Sequence, residues 1–271
     1  MSISNPPQVL LFDVFGTVVE WRTCVTQALL TAAQKALSDP QKTLSPEVRT
    51  QATSMTNQDW LAIAEEWRRS YGHFTQTFDP AQQPFISVDE HHYRAIHAIL
   101  KARQLDSLFT DAERWELALI WHRLEPWQDS VQGLHLLNRK FRTCTLSNGN
   151  VSLQQDLMRH GSLPFTDIAS AEHFGAYKPS PRVYLGAVGK FGLQPQQCAM
   201  VAAHLHDLKA AKALGLQTVY VARHLEETAE VDLDEAAEVG QGRREGYVDM
   251  WVELGAGGFV EVARRFGISA E

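Results

Sequence analysis

The chain's first clear pattern is a run of four apolar residues, Val9-Leu10-Leu11-Phe12, stopped by Asp13 and then by Gly16-Thr17. An uninterrupted apolar run of that length, ending at a polar turn, reads as a buried strand. The figure recurs in the second half of the chain. Residues 142–146 run into Ser147-Asn148-Gly149, residues 167–170 into a loop with Gly175 and Pro179, and residues 198–203 into the turn from His204 to Asp207. A further run, 218–222, follows Gly215. Helix-like segments lie between them at 131–140, 152–160, 181–191 and 207–214. Strand and helix alternating at this pitch predict a parallel sheet with helices on both faces, a Rossmann-like, doubly wound α/β core.

The pattern changes between about residue 20 and residue 124. Trp60, Ile63, Ala64 and Trp67 sit at helical spacing, as do Tyr93, Ile96, His97 and Leu100. Pro46, Pro80 and Pro84 break the stretch into helices and loops. It predicts a helical domain, residues 21–124, inserted into a core made of residues 1–20 and 125–271. The pattern holds no internal repeat or low-complexity tract.

Composition narrows the function classes. The 271 residues carry a formal net charge of -7, which gives no support to a nucleic-acid surface, since that normally shows as a basic patch. No apolar run approaches the roughly 20 residues that span a bilayer. Met1 to Pro7 is polar and lacks the basic-then-apolar plan of a signal peptide. The expectation is therefore a cytoplasmic protein. Cys24, Cys144 and Cys198 are far apart and form no C-x-x-C pair, so they read as structural residues and not as a zinc site.

The candidate chemistry lies at the carboxyl ends of the predicted strands, where open α/β sheets bind ligands. Asp13 closes the first strand, Ser147 and Asn148 the second, Lys178 lies after the third and Asp207 after the fourth. Local structural readings stand beside this one. Asp207 is a candidate N-cap for the helix that follows, Thr17 for the next helix, and Ser147-Asn148 for another. His204 and His206 form a His-x-His pair without evident further ligands. His91 and His92 read as solvated residues at a helix start, and most of the seven tryptophans read as core.

Asp13-Val14-Phe15-Gly16-Thr17 resembles the first signature of the haloacid dehalogenase superfamily. Thr145-Leu146-Ser147-Asn148-Gly149 resembles the second, Lys178-Pro179 the third, and Asp207 followed by Gly215 the fourth. Phosphatases of that superfamily carry an acid two residues after the nucleophile and an Mg²⁺-binding aspartate five residues before the fourth-signature aspartate. Phe15 and Ala202 occupy those places here. Magnesium prefers hard oxygen ligands in near-octahedral geometry, so both changes argue against a metal. The L-2-haloacid dehalogenases share both losses. The stretch from Lys178 to Tyr184 is similar to their third signature, and Trp67-Arg68-Arg69-Ser70-Tyr71 to the cap segment that carries their substrate-facing arginine. Ala202 and His204 depart from that branch, which usually has serine and asparagine there.

The resemblance implies an inserted cap domain, no cofactor, a homodimer, and hydrolysis of a short 2-haloalkanoic acid. Asp13 is the implied covalent nucleophile, with Lys178 and Thr17 holding it. The substrate carboxylate meets backbone N–H groups near Phe15 and the Ser147 hydroxyl. Arg68 and Asn148 stabilise the departing halide, Trp67 and Tyr184 line the substrate, and Asp207 or His204 activates the water. Three alternatives stay open: an Mg²⁺-dependent phosphatase or phosphonatase, a hydrolase of another activated carbon, and a catalytically silent protein that binds a small acid. No nucleic acid or membrane is expected as a partner.

Overall fold

The strands are β1 (Val9–Phe12), a short antiparallel pair β2 (Val19–Glu20) and β3 (Glu125–Pro126), then β4 (Arg142–Ser147), β5 (Asp167–Ser170), β6 (Cys198–Ala202), β7 (Gln217–Val221) and β8 (Met250–Val252). In this computed structural model, which describes residues 5–226 and 245–269, six of them form one sheet in the order β5-β4-β1-β6-β7-β8. Every pairing in that sheet is parallel. β1 lies inside the sheet, with Leu11 opposite Cys144 on one side and Met200 on the other. A central parallel strand is covered on both faces, which is why all four of its residues are apolar.

Alternation along β1 divides the two sides of the core. Val9 and Leu11 pack with Val183, Tyr184, Leu205 and Leu208, residues of α9 (Pro181–Lys190) and α10 (Leu205–Ala213). Phe12 meets Phe165 and Phe259 edge-on, with ring centroids 5.4 and 5.1 Å apart. Phe259 belongs to the last helix, Gly258–Arg265, which packs on α6 (Ser130–Leu137). The two helices approach so closely at Gly133 that a Cβ there would collide with Phe259. Cys144 and Cys198 are buried as expected, and burial pushes their thiols up to about 12 and about 11. Neither is poised as a nucleophile.

The five predicted core strands are all present within a residue or two. β8 and the last helix were not anticipated. Met250-Trp251-Val252 is too short to show a period, and it reaches the sheet only as an edge strand beside β7.

The contacts divide the chain into two compact units, Met1–Glu20 with Glu125–Glu271, and Trp21–Leu124. The second unit is helical: α1 (Arg22–Ser38), α2 (Pro46–Ser54), α3 (Asn57–Thr77), α4 (Val88–Ala102) and α5 (Asp111–Ala118). Its helix starts follow local rules. Ser45 caps α2 with Pro46 at the first position, and Thr56 with Asp59 and Thr110 with Glu113 form reciprocal capping boxes. Pro46 therefore begins a helix and does not break one. Trp60, Ile63, Ala64, Trp67 and Tyr71 make the buried stripe of α3.

His92 corrects an expectation of the sequence. It is not a solvated residue but a fully buried ring, stacked on Trp121 at 4.4 Å and on Tyr71 at 5.6 Å. Burial holds it well below the ordinary histidine range, and its neighbour His91, stacked on Phe74, is lowered to about 4 for the same reason. Among the described residues no helix is long and apolar enough to cross a membrane.

Candidate active site

β1 ends with the Asp13 N–H donating to the Val201 carbonyl at 3.0 Å. The chain then turns through Gly16, whose φ of +79° suits glycine. Residues from distant parts of the same unit fasten this turn. Trp127 Nε1 donates to the Gly16 carbonyl at 2.9 Å, Ser130 Oγ to Val18 at 2.7 Å, and Arg223 Nε to Thr17 at 2.9 Å. Arg223 is itself fixed by an ion pair with Asp129, whose carboxylate also accepts from the Phe259 N–H.

This rigid loop presents a buried carboxylate. Asp13 Oδ1 accepts from Lys178 Nζ at 2.8 Å. Asp13 Oδ2 accepts from Thr17 Oγ1 at 2.8 Å and meets His204 Nδ1 at 3.0 Å. Lys178 Nζ also donates to Asp207 Oδ2 at 2.6 Å, and the Tyr184 hydroxyl donates to Asp207 Oδ1 at 2.6 Å. Thr17 Oγ1 accepts from the Ala203 N–H at 2.9 Å, which turns the hydroxyl proton toward Asp13. Residues from the ends of β1 and β6 and from the loop after β5 thus meet around one carboxylate.

Charge sets the protonation states. Burial alone would raise the Asp13 carboxyl, but the Lys178 ammonium and the His204 contact outweigh it and hold the group far below the usual carboxylate range. Burial would likewise lower Lys178, and its two carboxylate partners instead raise it. His204 is buried too, yet its bonds to Asp13 and to Glu226 Oε2 at 3.1 Å push it up to about 10. It is an imidazolium at neutral pH, so both of its nitrogens donate. His206 goes the other way, lowered to about 4 by burial and then by the His204 charge. Tyr184 is raised, by burial and then by Asp207, and remains a donor.

Several expected residues have other local tasks. Asn148 does not point a free amide outward: Oδ1 accepts from the Lys178 N–H at 2.7 Å, and Nδ2 reaches the Lys178 carbonyl at 3.4 Å. It grips the backbone that carries the lysine. Ser147 Oγ accepts from the Gly149 N–H at 3.1 Å. Neither residue caps a helix, because α7 (Val151–His160) has Asn150 at its N-cap. Asp207 is no N-cap either. α10 begins at Leu205 with His204 before it, so Asp207 stands in the first turn with its carboxylate turned to Lys178 and Tyr184. Thr17 caps nothing, since α1 starts at Arg22 with Trp21 at its N-cap. Phe15 is buried beside Gly149. Trp67 and Arg68 belong to the second unit. Trp67 is fully buried with Nε1 on the His92 carbonyl, and the Arg68 guanidinium lies 4.9 Å from the Tyr71 ring centroid.

Sequence reasoning missed Glu226, Arg223 and Asp129. The first two follow the carboxyl end of β7, so the strand-end rule that picked out Lys178 and Asp207 also covers them.

A parallel sheet with a lysine-bound aspartate at the end of an interior strand defines a Rossmann-like enzyme whose site sits on the strand ends. Residues 7–215 match the haloacid dehalogenase-like hydrolases, and the chain belongs to that family. It is 25% identical over 224 residues to (S)-2-haloacid dehalogenase 1 of Pseudomonas sp. (strain CBS-3), covering 81% of this chain and 86% of the relative. Two solved structures are similar at 29% identity. The L-2-haloacid dehalogenase PA0810 covers 96% of this chain and 99% of its own, with a TM-score of 0.76. The defluorinating L-2-haloacid dehalogenase Rha0230 covers 96% and 94%, with a TM-score of 0.79.

Proposed function

We propose that the protein hydrolyses a short 2-haloalkanoic acid to the 2-hydroxy acid, without a metal, through an ester on Asp13. The observation that carries this reading is the Asp13 carboxylate, kept ionised and aimed by Lys178, Thr17 and His204, with no second acid at position 15 or 202. An ionised carboxylate attacks carbon as a nucleophile, and halide leaves as a stable anion that needs no proton donor. A phosphate ester would need one, and Phe15 offers none. The similarity to (S)- and L-2-haloacid dehalogenases supports the same substrate class.

The donor set does not fit Mg²⁺. Lys178, Thr17 and His204 engage the Asp13 oxygens, and Lys178 and Tyr184 those of Asp207. Ala202 and Phe15 bring no oxygen to complete an octahedron. Lys178 supplies the positive charge between the two carboxylates.

In the second half of the reaction, water attacks the ester carbonyl. His204, as an imidazolium, has no lone pair to accept the water's proton. That task falls to Asp207, whose orientation Tyr184 and Lys178 fix. Arg68 carries over from the resemblance as the substrate-binding arginine of the second unit, suited to a carboxylate or halide by its planar donors.

The test is halide release from L-2-chloropropionate with and without EDTA. We expect turnover unchanged by the chelator and none in Asp13→Asn. A single turnover in ¹⁸O water should label Asp13 and leave the product unlabelled. Full activity of Asp13→Asn, or activity on p-nitrophenyl phosphate that EDTA abolishes, sinks the reading.

A further inference from the structure

Glu226 lies after β7, beyond the four stretches that carry the resemblance. Its side chain is 5% exposed, and a buried carboxylate needs a reason to be there. It meets His204 Nε2 at 3.1 Å, while His204 Nδ1 meets Asp13 Oδ2 at 3.0 Å. It also packs on Gly16 so closely that a Cβ at that position would collide with it. The row Glu226–His204–Asp13 therefore runs past the loop that carries the nucleophile and shares Asp13 with the row Asp207–Lys178–Asp13.

The two oxygens of Asp13 are not equivalent. Oδ1 has one donor, Lys178, and keeps a lone pair for attack. Oδ2 has two, Thr17 and His204. When Oδ1 forms the bond to C2 and halide leaves with the C–X electron pair, Oδ2 becomes the ester carbonyl oxygen. Water then adds to Cγ, its proton passes to Asp207, and the carbonyl electron pair moves onto Oδ2. Collapse restores the carbonyl and breaks the Cγ–Oδ1 bond, and the departing 2-hydroxy acid oxygen takes the proton from Asp207. Asp13 keeps the water's oxygen and loses its proton to solvent. The oxygen that gains charge in this step is the one already facing two donors, the arrangement an oxyanion site requires.

We infer that Glu226 is a positioning residue for ester hydrolysis: it holds the His204 ring so that its Nδ1–H, with the Thr17 hydroxyl, receives the charge that develops on Asp13 Oδ2. The inference rests on the aspartyl-ester reading, and it assigns His204 to charge stabilisation rather than to water activation. The groups around His204 are Asp13 at the end of β1, Glu226 after β7 and His206 on α10, with ring centroids 5.7 Å apart for the two histidines. Lys178 contacts the other oxygen of Asp13 and links it to Asp207. The two carboxylates that touch His204 both favour its charged form, and neutral His206 does not oppose it.

Two measurements on the full chain test this. NMR titration of ¹⁵N-histidine-labelled protein reads His204 without any substrate. We expect it protonated through pH 8 in the wild type, with a midpoint about 1–3 pH units lower in Glu226→Gln and partly restored in Glu226→Asp. Rapid mixing with L-2-chloropropionate then separates the half-reactions. In Glu226→Gln the first equivalent of halide should appear within about 3-fold of the wild-type rate. Steady-state turnover should fall about 10- to 100-fold, with the ester accumulating as a mass increment on the Asp13 peptide. The KM-independent fall in kcat should ease in Glu226→Asp. An unchanged His204 titration in Glu226→Gln overturns the positioning role. Burst and steady state falling together, with no ester trapped, overturn the assignment to hydrolysis. Wild-type protein that releases no halide while His204 still responds to Glu226 instead overturns the aspartyl-ester reading on which the inference rests.

Discussion

Three donors converge on the Asp13 carboxylate, and two of them are cations. Burial acts against ionisation of this group, and the Lys178 charge with the His204 hydrogen bond and charge outweighs it. The same balance makes His204 a source of pH-dependent stability. A histidine more basic in the folded state than in the unfolded one stabilises the fold fully below about 6.5, and that contribution is lost as pH rises through about 10. Denaturant unfolding between pH 6 and pH 10 should therefore show a falling free energy, with a slope of at most about 1.4 kcal/mol per pH unit from this one proton. His204→Asn should flatten that slope. A wild-type curve that rises over this range would contradict the assigned protonation. Asp13, Lys178 and Asp207 were legible in the sequence because strand ends collect functional groups. The second carboxylate that faces His204 was not. The strand-end rule marks the stretch after β7 as a candidate, but not the contact itself, which spans 22 residues and depends on how the chain leaves β7.

At the level of elements, short runs ending at polar turns located the core strands, most clearly β1 and β6, which are apolar throughout. That pattern missed β8, whose three residues carry no period, and the helix that follows, although Phe259 on that helix packs directly on Phe12, one residue before Asp13. The close approach of this helix to α6 gives a direct test. Gly133→Ala would ordinarily favour a helix by about 1 kcal/mol. Here the added methyl meets Phe259 Cβ and backbone, which cannot swing aside as a side-chain tip would. Overpacking of this kind costs about 1–3 kcal/mol, so we expect a net loss of stability, read as a lower urea midpoint with an unchanged m-value. Higher stability in Gly133→Ala would mean that the two helices are not packed as described. His92 shows the opposite failure. Its polar type suggested surface, while its position on α4 places it among Trp67, Tyr71 and Trp121. Helical phase outweighed residue type.

For the molecule as a whole, the inserted segment has its own packed interior. Its buried stripe on α3 faces residues of α1 and α4, and the starts of α2, α3, α4 and α5 are capped from within. We therefore expect a fragment of residues 21–124 to show helical circular dichroism and a cooperative thermal transition. A featureless spectrum with no transition would show that this unit depends on the rest of the chain to fold. The compositional change near residues 20 and 124 made this division readable, because helical spacing replaces apolar runs there.

The strand order also governs when the Asp13 site can assemble. β1 is synthesised first, but its two neighbours in the sheet are β4 and β6, and Arg142 is the first residue of β4. While the ribosome makes the inserted helices, the segment carrying Asp13 has no strand in that sheet to pair with. Its cations, Lys178 and His204, emerge later still, and Glu226 after both. A parallel sheet assembled from such distant pieces forms late and cooperatively. The nascent chain therefore carries an ordinary aspartate, and the contacts of Asp13 with Lys178 and His204 can form only after residue 204 has left the exit tunnel.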